Sequence, residues 1–404
     1  MKYFLTLSLI LFFALTSFDV RAEVWTSVQS WNEEMEDKYS EWIKSTFNDD
    51  IFSNPSSAYY GIKTDCADAL LVARLIFSYE QKLPFSFKNV DGKIVTEKTK
   101  DFDNASTDKR LVMFANSLAD QVSVQNLASE NSFYIHPSEI RAGDFYLVRW
   151  VNAEGKTNHH AYLIKSILPT GDLELLSSTT PKAVRTLATR LGMPVQFFAE
   201  FPYGFKRFKE RQSIVASLDD KTQLQWQKLG ENEFFGRIKE LLRTEEDNYQ
   251  KNFDRRFLNL CRALLLRYEV VLAASKRIAE RNGRCLSSSE YDEFSTPSRD
   301  HNIMREFERL INGWKTLFYK KISHNLSSEE VLGLDYLIGK DNSEEGKYSL
   351  DKRCRVSFVS ESGEAYSMGL RSFYQRLKAG LISSDPNQPI KVRYGLSKEM
   401  NRCN

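Results

Sequence analysis

Apolar positions in the first part of the chain follow the spacing of helices. Between residues 23 and 50 they recur every three or four positions, which predicts one amphipathic helix, and residues 54–57 end it as a turn. A second helix is predicted to begin at Cys66 and to stop before Pro84, with Asp65 as its N-cap. Its apolar positions are Leu70, Leu71, Leu75, Ile76 and Tyr79.

Further along the chain the pattern changes to short strand-like runs. Residues 144–151, 160–167 and 173–178 are rich in β-branched, aromatic and leucine side chains. Residues 152–155 and 169–172 carry the glycine, asparagine and proline that are typical of turns. Three strands joined by short turns predict an antiparallel meander.

After about residue 202 the sequence becomes charged, and its apolar positions again have helical spacing. One helix is predicted to begin at Pro297, because proline suits the first helical position. Ser327 and Glu330 have the spacing of a capping box at the start of another helix. A strand is predicted at residues 355–359.

The composition is that of a folded protein, with 42% hydrophobic and 13% aromatic residues. A chain of 404 residues usually forms two domains. We therefore predict an α+β protein, with a helix-plus-sheet domain at residues 23–205 and a mostly helical domain at residues 206–404. The 56 basic and 54 acidic side chains are mixed along the chain, which gives no argument for nucleic-acid binding.

Residues 1–22 have the pattern of an export signal. Lys2 precedes an apolar stretch at residues 3–15, and residues 20–22 offer a cleavage site before Glu23. The stretch is short for a membrane span, so we expect a periplasmic or secreted protein with no stable membrane insertion after cleavage. An uncleaved anchor is the alternative interpretation.

The five cysteines divide unevenly along the chain. Cys261, Cys285, Cys354 and Cys403 lie in the second half, where export would permit disulfides, and Cys66 lies alone in the first half. Local pairing, Cys261 with Cys285 and Cys354 with Cys403, is the preferred prediction, although four cysteines allow three pairings. Cys66 is left as a free thiol or as one half of an intermolecular bridge.

Cys66 also has the features of a cysteine nucleophile. The start of a helix favours a thiolate there, and a histidine is needed as base. His159 and His160 open a predicted strand, and because neighbouring side chains on a strand point to opposite faces, only one can meet the thiol. We prefer His160. A buried structural thiol is the alternative for Cys66. Less favoured as catalytic residues are His136, His301 and His324.

These pieces resemble the NlpC-type branch of the papain-like cysteine peptidases, which cut peptidoglycan stem peptides. The match covers about residues 55–185 and implies a papain-like fold for residues 23–205. By this resemblance Cys66 is the nucleophile, His160 the base, Ser177 the residue that orients the imidazole and Tyr60 an aid to oxyanion binding. Packing beside the helix is the alternative role of Tyr60, and an ordinary strand-end serine is that of Ser177. The residues that carry the match are Tyr60-Gly61, Asp65-Cys66, Gly143-Asp144, His160-Ala161 and Ser177.

Three positions depart from this family pattern. Ala67-Asp68 stands where Ser-Gly is common, residues 85–130 read as an insertion between the cysteine and the histidine, and Ser177 is a weak partner for an imidazolium. The run His160-Ala161-Tyr162 also resembles the transglutaminase-like branch of the same superfamily. No aspartate follows near Ser178, as that branch would require.

Three functions follow as predictions. The first is an exported cysteine hydrolase that cleaves peptide or amide bonds, with peptidoglycan or another peptide as substrate and neither a metal nor a cofactor. The second is a catalytically weak or inactive binding or scaffold module, whose helical half could contact a protein partner. The third is acyl transfer by the transglutaminase-like route.

Overall fold

The computed structural model describes residues 23–102, 104–151, 155–198, 200–209, 219–398 and 403. The helices are α1 (Glu33–Ser45), α2 (Cys66–Glu80), α3 (Thr107–Ala119), α4 (Val124–Ser129), α5 (Thr222–Gln227), α6 (Glu231–Leu242), α7 (Tyr249–Glu280), α8 (Ser288–Phe294), α9 (Pro297–Tyr319), α10 (Ser328–Ile338), α11 (Glu344–Asp351), α12 (Leu370–Lys378) and α13 (Ile390–Arg393). The strands are β1 (Ser86–Lys88), β2 (Ile94–Thr96), β3 (Ser132–Tyr134), β4 (Phe145–Val151), β5 (Thr157–Ile167), β6 (Leu173–Ser177), β7 (Ala188–Leu191), β8 (Gly204–Phe208), β9 (Arg355–Val359) and β10 (Ala365–Gly369).

The main sheet has the strand order β3-β8-β4-β5-β6-β7, and all its pairings are antiparallel. The predicted meander is its centre, β4-β5-β6. The second predicted turn, residues 169–172, joins β5 to β6, whereas residues 152–154 of the first predicted turn lie outside the described residues. The chain is therefore a mixed α and β protein with a small antiparallel sheet and a helical C-terminal region. Strands β3, β7 and β8 were not predicted, because each is short and lacks a clear period-2 pattern.

Strand alternation divides the side chains of this sheet between two faces. Leu163 lies on the face that packs against α1 and α2. Its pairing partner is Phe145, whose ring centroid is 4.6 Å from that of Phe208. Phe208 in turn contacts Arg74 of α2. Tyr146 lies on the other face, 5.9 Å between ring centroids from Phe235 of α6. We call these the α2 face and the α6 face.

Helix α2 begins at Cys66, as the sequence predicted, and Asp65 caps it. The Asp65 carboxylate accepts hydrogen bonds from the amides of Ala67 at 3.0 Å and Asp68 at 3.3 Å. The Asp68 carboxylate in turn accepts from the Asp65 amide at 2.9 Å, which completes a capping box. All side chains from Cys66 to Ser78 are buried, so α2 is the central helix of the first core.

The first predicted helix is shorter than expected. Only α1, within residues 23–50, is helical, and the chain before it is irregular. The reason is that two tryptophans are held by long-range contacts: Trp25 Nε1 donates to the carbonyl of Leu83, and Trp31 Nε1 donates to that of Pro84, both at 2.9 Å. Apolar spacing alone could not distinguish such anchored side chains from a helix face.

The predicted insertion at residues 85–130 contains the hairpin β1–β2 and helices α3 and α4. Helix α3 lies in the middle of this segment. Its inner side chains, among them Leu111, Phe114 and Leu118, join the same hydrophobic core as α2. The insertion is therefore folded onto the first core.

The first core extends past residue 205. Strand β8 crosses that predicted boundary and pairs with β3 and β4, and α6 places Phe234, Phe235 and Ile238 in the same core. A second core begins at Phe253 of α7 and contains side chains of α9, α10 and α12. The change from one core to the other thus lies between α6 and α7. Helix α9 begins at Pro297 and β9 spans residues 355–359, as predicted.

The four C-terminal cysteines pair among themselves, but not as neighbours in sequence. The disulfides are Cys261–Cys354 and Cys285–Cys403, with Cα–Cα distances of 5.9 and 4.9 Å. The predicted local pairing is wrong because α7 continues to Glu280. At 1.5 Å per residue, Cys261 lies about 28 Å from the C-terminal end of α7, and Cys285 follows only after that end. Cys66 is the free cysteine.

Two observations bear on location. Disulfides form and persist in oxidising compartments, so the two disulfides of this protein are compatible with export. Within the described part of the chain no helix combines the length and the apolar character that a membrane span needs. The predicted signal, residues 1–22, lies outside the described residues.

Candidate functional site: Cys66, the histidine pair and an arginine-lined cleft

Cys66 lies at the first position of α2, and its side chain is only 8% exposed. Burial raises the pKa of the thiol to about 12, and the carboxylates of Asp65 and Asp68 raise it further. Backbone amides at the helix start act in the opposite direction but are weaker. The thiol is therefore protonated near neutral pH, whereas the sequence analysis expected a thiolate.

The start of α2 is tied to the end of β6. Ser178 Oγ donates to the carbonyl of Thr64 at 3.0 Å and accepts from Thr64 Oγ1 at 3.1 Å. Thr64 also pairs with Ala183 in an isolated bridge. The serine that meets the segment before Cys66 is thus Ser178, the residue after the predicted Ser177.

The two histidines lie on opposite faces of the sheet. His160 is on the α6 face, and its ring meets that of Tyr162 edge-on with centroids 4.5 Å apart. Burial, together with the charge of Arg305, lowers the pKa of His160 to about 4. His159 follows the alternation of Ala161 onto the α2 face, with its ring 5.8 Å from that of Tyr203. Burial and the nearby Arg149 lower the pKa of His159.

The sheet therefore separates the four residues that the sequence grouped. Cys66 belongs to the α2 face, while His160 and Ser177 belong to the α6 face, since Ser177 alternates with Leu176 of the α2 face. Tyr60 lies in the turn before α2 and is 49% exposed. The preference for His160 over His159 as partner of Cys66 is not supported by this alternation. The catalytic roles of all four residues stay predictions.

A cleft of about 1050 Å³ lies between strands β5–β7 and helices α7 and α9. Both halves of the chain contribute to its walls, and Cys66 is not among the lining residues. The sheet and the segment before β7 supply His159, His160, Tyr162, Ser177 and Arg185, and the helices supply Arg262, Glu269, Arg299, Arg305 and Glu306.

Four arginines of this cleft lack a carboxylate partner among the described residues. Arg185, Arg262, Arg299 and Arg305 each have at least one buried guanidinium nitrogen with no acceptor in that part of the chain. Burial, and next the charge of Arg299, lower the pKa of Arg185 to about 10. The positive charges of Arg185 and Arg299 thus lie close together in the cleft.

A fifth arginine of the cleft is paired. Arg190 on β7 forms an ion pair with Glu306 of α9, which is 2% exposed. The same carboxylate contacts Arg309 at 3.1 Å. One buried carboxylate is therefore shared by two guanidinium groups. Elsewhere in the cleft, burial and the charge of Asp49 raise the pKa of Glu269, so the cleft also has an acidic part.

These arginines were not predicted as site residues from the sequence. Arg185 is separated from Arg299 and Arg305 by more than a hundred residues, and charged side chains on a helix are usually solvated. No short motif signals that such residues converge.

No family model, curated protein or solved structure matches this chain. The resemblance to the NlpC-type peptidases therefore stays a prediction from the motifs alone.

Proposed function

We propose that this protein is a binding protein whose ligand lies in the cleft between the sheet and helices α7 and α9. The observation that carries the proposal is the cleft itself, about 1050 Å³ with walls from both halves of the chain. Ligand sites in proteins are clefts of about 300–1,000 Å³ that bury most of a small molecule. Buried guanidinium nitrogens without acceptors on this wall support it, because such groups are usually hydrogen-bonded.

The state of Cys66 favours binding over thiol catalysis. A nucleophilic cysteine needs a lowered pKa and an accessible sulfur. In this protein burial raises the pKa of the Cys66 thiol to about 12, and the side chain is 8% exposed. The low pKa of His160, about 4, also makes this imidazole a poor base near neutral pH.

The test is non-denaturing mass spectrometry of the protein purified from cells that naturally make it, followed by a screen of small molecules. Ala263 lines the cleft on α7, so Ala263→Trp should fill part of it. Ala273 is exposed on the same helix and outside the cleft, which makes Ala273→Trp the matched control.

We expect a small molecule to be bound by the natural protein and by Ala273→Trp, and to be lost from Ala263→Trp. A protein that retains no small molecule and binds none from the screen would contradict the proposal. The same conclusion would follow if a bound molecule were equally retained by Ala263→Trp, provided that both variants unfold at similar temperatures.

The second candidate is the exported cysteine hydrolase with a papain-like first domain. Its support is the order of elements, a cysteine at the start of α2 followed by the meander, with His159 on the α2 face. In this reaction Cys66 Sγ transfers its proton to His159 and attacks a peptide carbonyl. The imidazolium then protonates the leaving amine, and water hydrolyses the thioester. The raised pKa of Cys66 requires that substrate binding expose the thiol.

Digestion of purified peptidoglycan beside Cys66→Ala tests this candidate. Stem-peptide fragments that vanish in the variant would establish a hydrolase. An amine acceptor joined to the product in place of water would establish the transglutaminase-like route. Absence of any product would leave the binding proposal alone. N-terminal sequencing of the exported protein, with Glu23 expected first, tests the periplasmic or secreted location.

A further inference from the structure

Three guanidinium groups from distant parts of the sequence converge on one wall of the cleft. Arg185 precedes β7, whereas Arg299 and Arg305 lie on α9, and all three line the cleft. Arg299 lies close enough to Arg185 to help lower its pKa, and Arg305 lies close enough to His160, which also lines the cleft, to help lower the pKa of that imidazole. We call Arg185, Arg299 and Arg305 the basic wall.

Each of these guanidinium groups has at least one buried nitrogen that donates no hydrogen bond to the described part of the protein. Arg185 Nη2 donates to the carbonyl of Pro181, while its Nε and Nη1 are buried and have no acceptor among the described residues. Arg299 Nη1 donates to the carbonyl of Ser295 at 3.4 Å, and its buried Nε likewise lacks an acceptor there. Backbone carbonyls therefore position the guanidinium groups without neutralising them.

Two other arginines nearby are neutralised by a buried carboxylate. Arg190 and Arg309 share the buried carboxylate of Glu306, with Arg309 at 3.1 Å. No carboxylate in the described part of the chain lies within 4 Å of the basic wall's guanidinium nitrogens in this way. Burying several like charges is unfavourable unless opposite charge compensates them. Glu293 and Asp65 act on Arg185 and Asp300 acts on Arg299, but none of them forms an ion pair with these guanidinium groups, so the protein compensates the charge only in part.

We propose that the basic wall binds a ligand that carries at least two acidic groups, either phosphates or carboxylates. This inference rests on the proposed function, since it names the class of ligand that the cleft takes. The planar guanidinium group donates paired hydrogen bonds that match the geometry of both kinds of oxyanion. Hydroxyls of Ser177, Thr179 and Thr180 line the same cleft and can donate to further oxygens of the ligand.

The acidic part of the cleft restricts where those acidic groups lie. Asp49 and Glu269 also line it, and they repel an anion. The acidic end of the ligand must therefore face the basic wall, while its neutral or cationic part faces Asp49 and Glu269. A simple monoanion would satisfy only part of the basic wall, so we expect it to bind more weakly than a dianion or trianion.

Isothermal titration calorimetry of the full exported chain with pyrophosphate, citrate and acetate tests the inference. The variants are Arg299→Gln and Arg305→Gln, which remove the charge but keep a polar side chain that can donate hydrogen bonds. Arg237→Gln is the control, because Arg237 lies on α6 outside the cleft and pairs with Glu233 at 2.9 Å. Thermal unfolding of each variant verifies that it folds.

We expect pyrophosphate, citrate or both to bind, with acetate much weaker. Each cleft variant should weaken that binding by about tenfold to a hundredfold, as expected for one lost charge-assisted hydrogen bond, and Arg237→Gln should not. Binding of pyrophosphate alone would identify phosphate groups, and binding of citrate alone would identify carboxylates. Added salt should weaken binding in either case.

No binding of either polyanion at millimolar concentration would overturn the inference, as would affinities that Arg299→Gln and Arg305→Gln leave unchanged. A neutral or cationic small molecule found in the mass-spectrometric test above would also overturn it, while the proposed binding function would stand. Failure of both experiments would reject the binding function itself.

Discussion

His160 meets the ring of Tyr162 edge-on, with centroids 4.5 Å apart, on the face of the sheet away from α2. The consecutive residues His159 and His160 thus lie in different environments. His160 is partly buried beside Tyr162 and lines the cleft, and His159 lies on the α2 face. With a pKa near 4, the imidazole of His160 is neutral at physiological pH.

Cys66 should be inert to iodoacetamide in the folded protein. Burial raises the pKa of its thiol to about 12, so the thiolate that reacts is about a thousandfold scarcer near pH 7 than for an exposed cysteine. Alkylation rates measured by mass spectrometry between pH 6 and 10 should be very low and rise steadily with pH. Unfolding in guanidinium chloride should restore rapid reaction. Fast labelling of the folded protein at pH 7 would contradict this expectation and favour the hydrolase.

The carboxyl group of Asp68 should make stability depend on pH. Burial, and secondarily the charge of Asp65, raise its pKa to about 7, against about 4 in an unfolded chain. The folded protein therefore holds this proton more tightly, and stability falls as pH rises from about 4 to about 7. Each unit of difference corresponds to about 1.4 kcal/mol. The pKa of about 7 already includes the opposing effect of Lys182, which forms an ion pair with this carboxylate at 3.4 Å.

Asp68→Asn should remove most of this dependence, because the amide oxygen can still accept from the Asp65 amide while carrying no charge. Urea denaturation at pH 5 and pH 8 measures the change. We expect the variant to gain stability relative to the natural protein at pH 8 more than at pH 5. An equal effect at both pH values would show that Asp68 does not titrate in this range.

The disulfide pairing can be tested with the double variant Cys261→Ala and Cys285→Ala. Each substitution breaks a different disulfide in the structure, so Cys354 and Cys403 should both become free thiols. Together with Cys66, three thiols should react under denaturing conditions. Local pairing would instead leave one reactive thiol. The double variant Cys261→Ala and Cys354→Ala is the control, for which one thiol is expected.

Glu306 is the shared partner of Arg190 and Arg309, and it is 2% exposed. Removing one partner of a buried ion pair leaves uncompensated charge and costs about 3–5 kcal/mol. Glu306→Gln should therefore lower the free energy of unfolding by that order in urea denaturation. Glu308→Gln changes an exposed carboxylate on the same helix and should have little effect. Equal stabilities of the two variants would refute a structural role for this triad.

Gly171 marks the close approach of the turn before β6 to helix α6. A Cβ atom there would lie 2.1 Å from the carbonyl oxygen of Lys239, and the residue also has a φ of +79°. Gly171→Ala should therefore cost more than Gly155→Ala, where φ is +77° but no atom lies within 4 Å. Comparing their unfolding midpoints isolates the steric part, which we expect to exceed about 1 kcal/mol. Equal midpoints would mean that α6 is not packed against this turn.

The start of α2 shows what local sequence can predict. Asp65 accepts from the Ala67 and Asp68 amides, and both the cap and the first helical residue, Cys66, followed from residues within one turn. The strands of the meander were predictable for a similar reason, because their apolar runs are bounded by turn residues. Helix α9, which begins at Pro297, and the strand at residues 355–359 were also predictable from local residues.

Long-range contacts decided the remaining features. The tryptophans near the N-terminus are not on a helix, since Trp25 and Trp31 donate to carbonyls more than fifty residues away. The cysteines pair across 93 and 118 residues, because the length of α7 separates those that are neighbours in sequence. No local pattern contains that information.

The sequence by itself determined the helix that begins at Cys66, the central meander and the lack of a partner for Cys66 within the chain, since capping, periodicity and an odd cysteine count act over short distances or need no geometry. Only the tertiary structure decided that His160 faces away from α2, that Cys66 is buried, and that Arg185 and Arg299 line the same cleft. The physical reason is that the face of a strand, the burial of a side chain and the partner of a charge depend on which distant elements pack together.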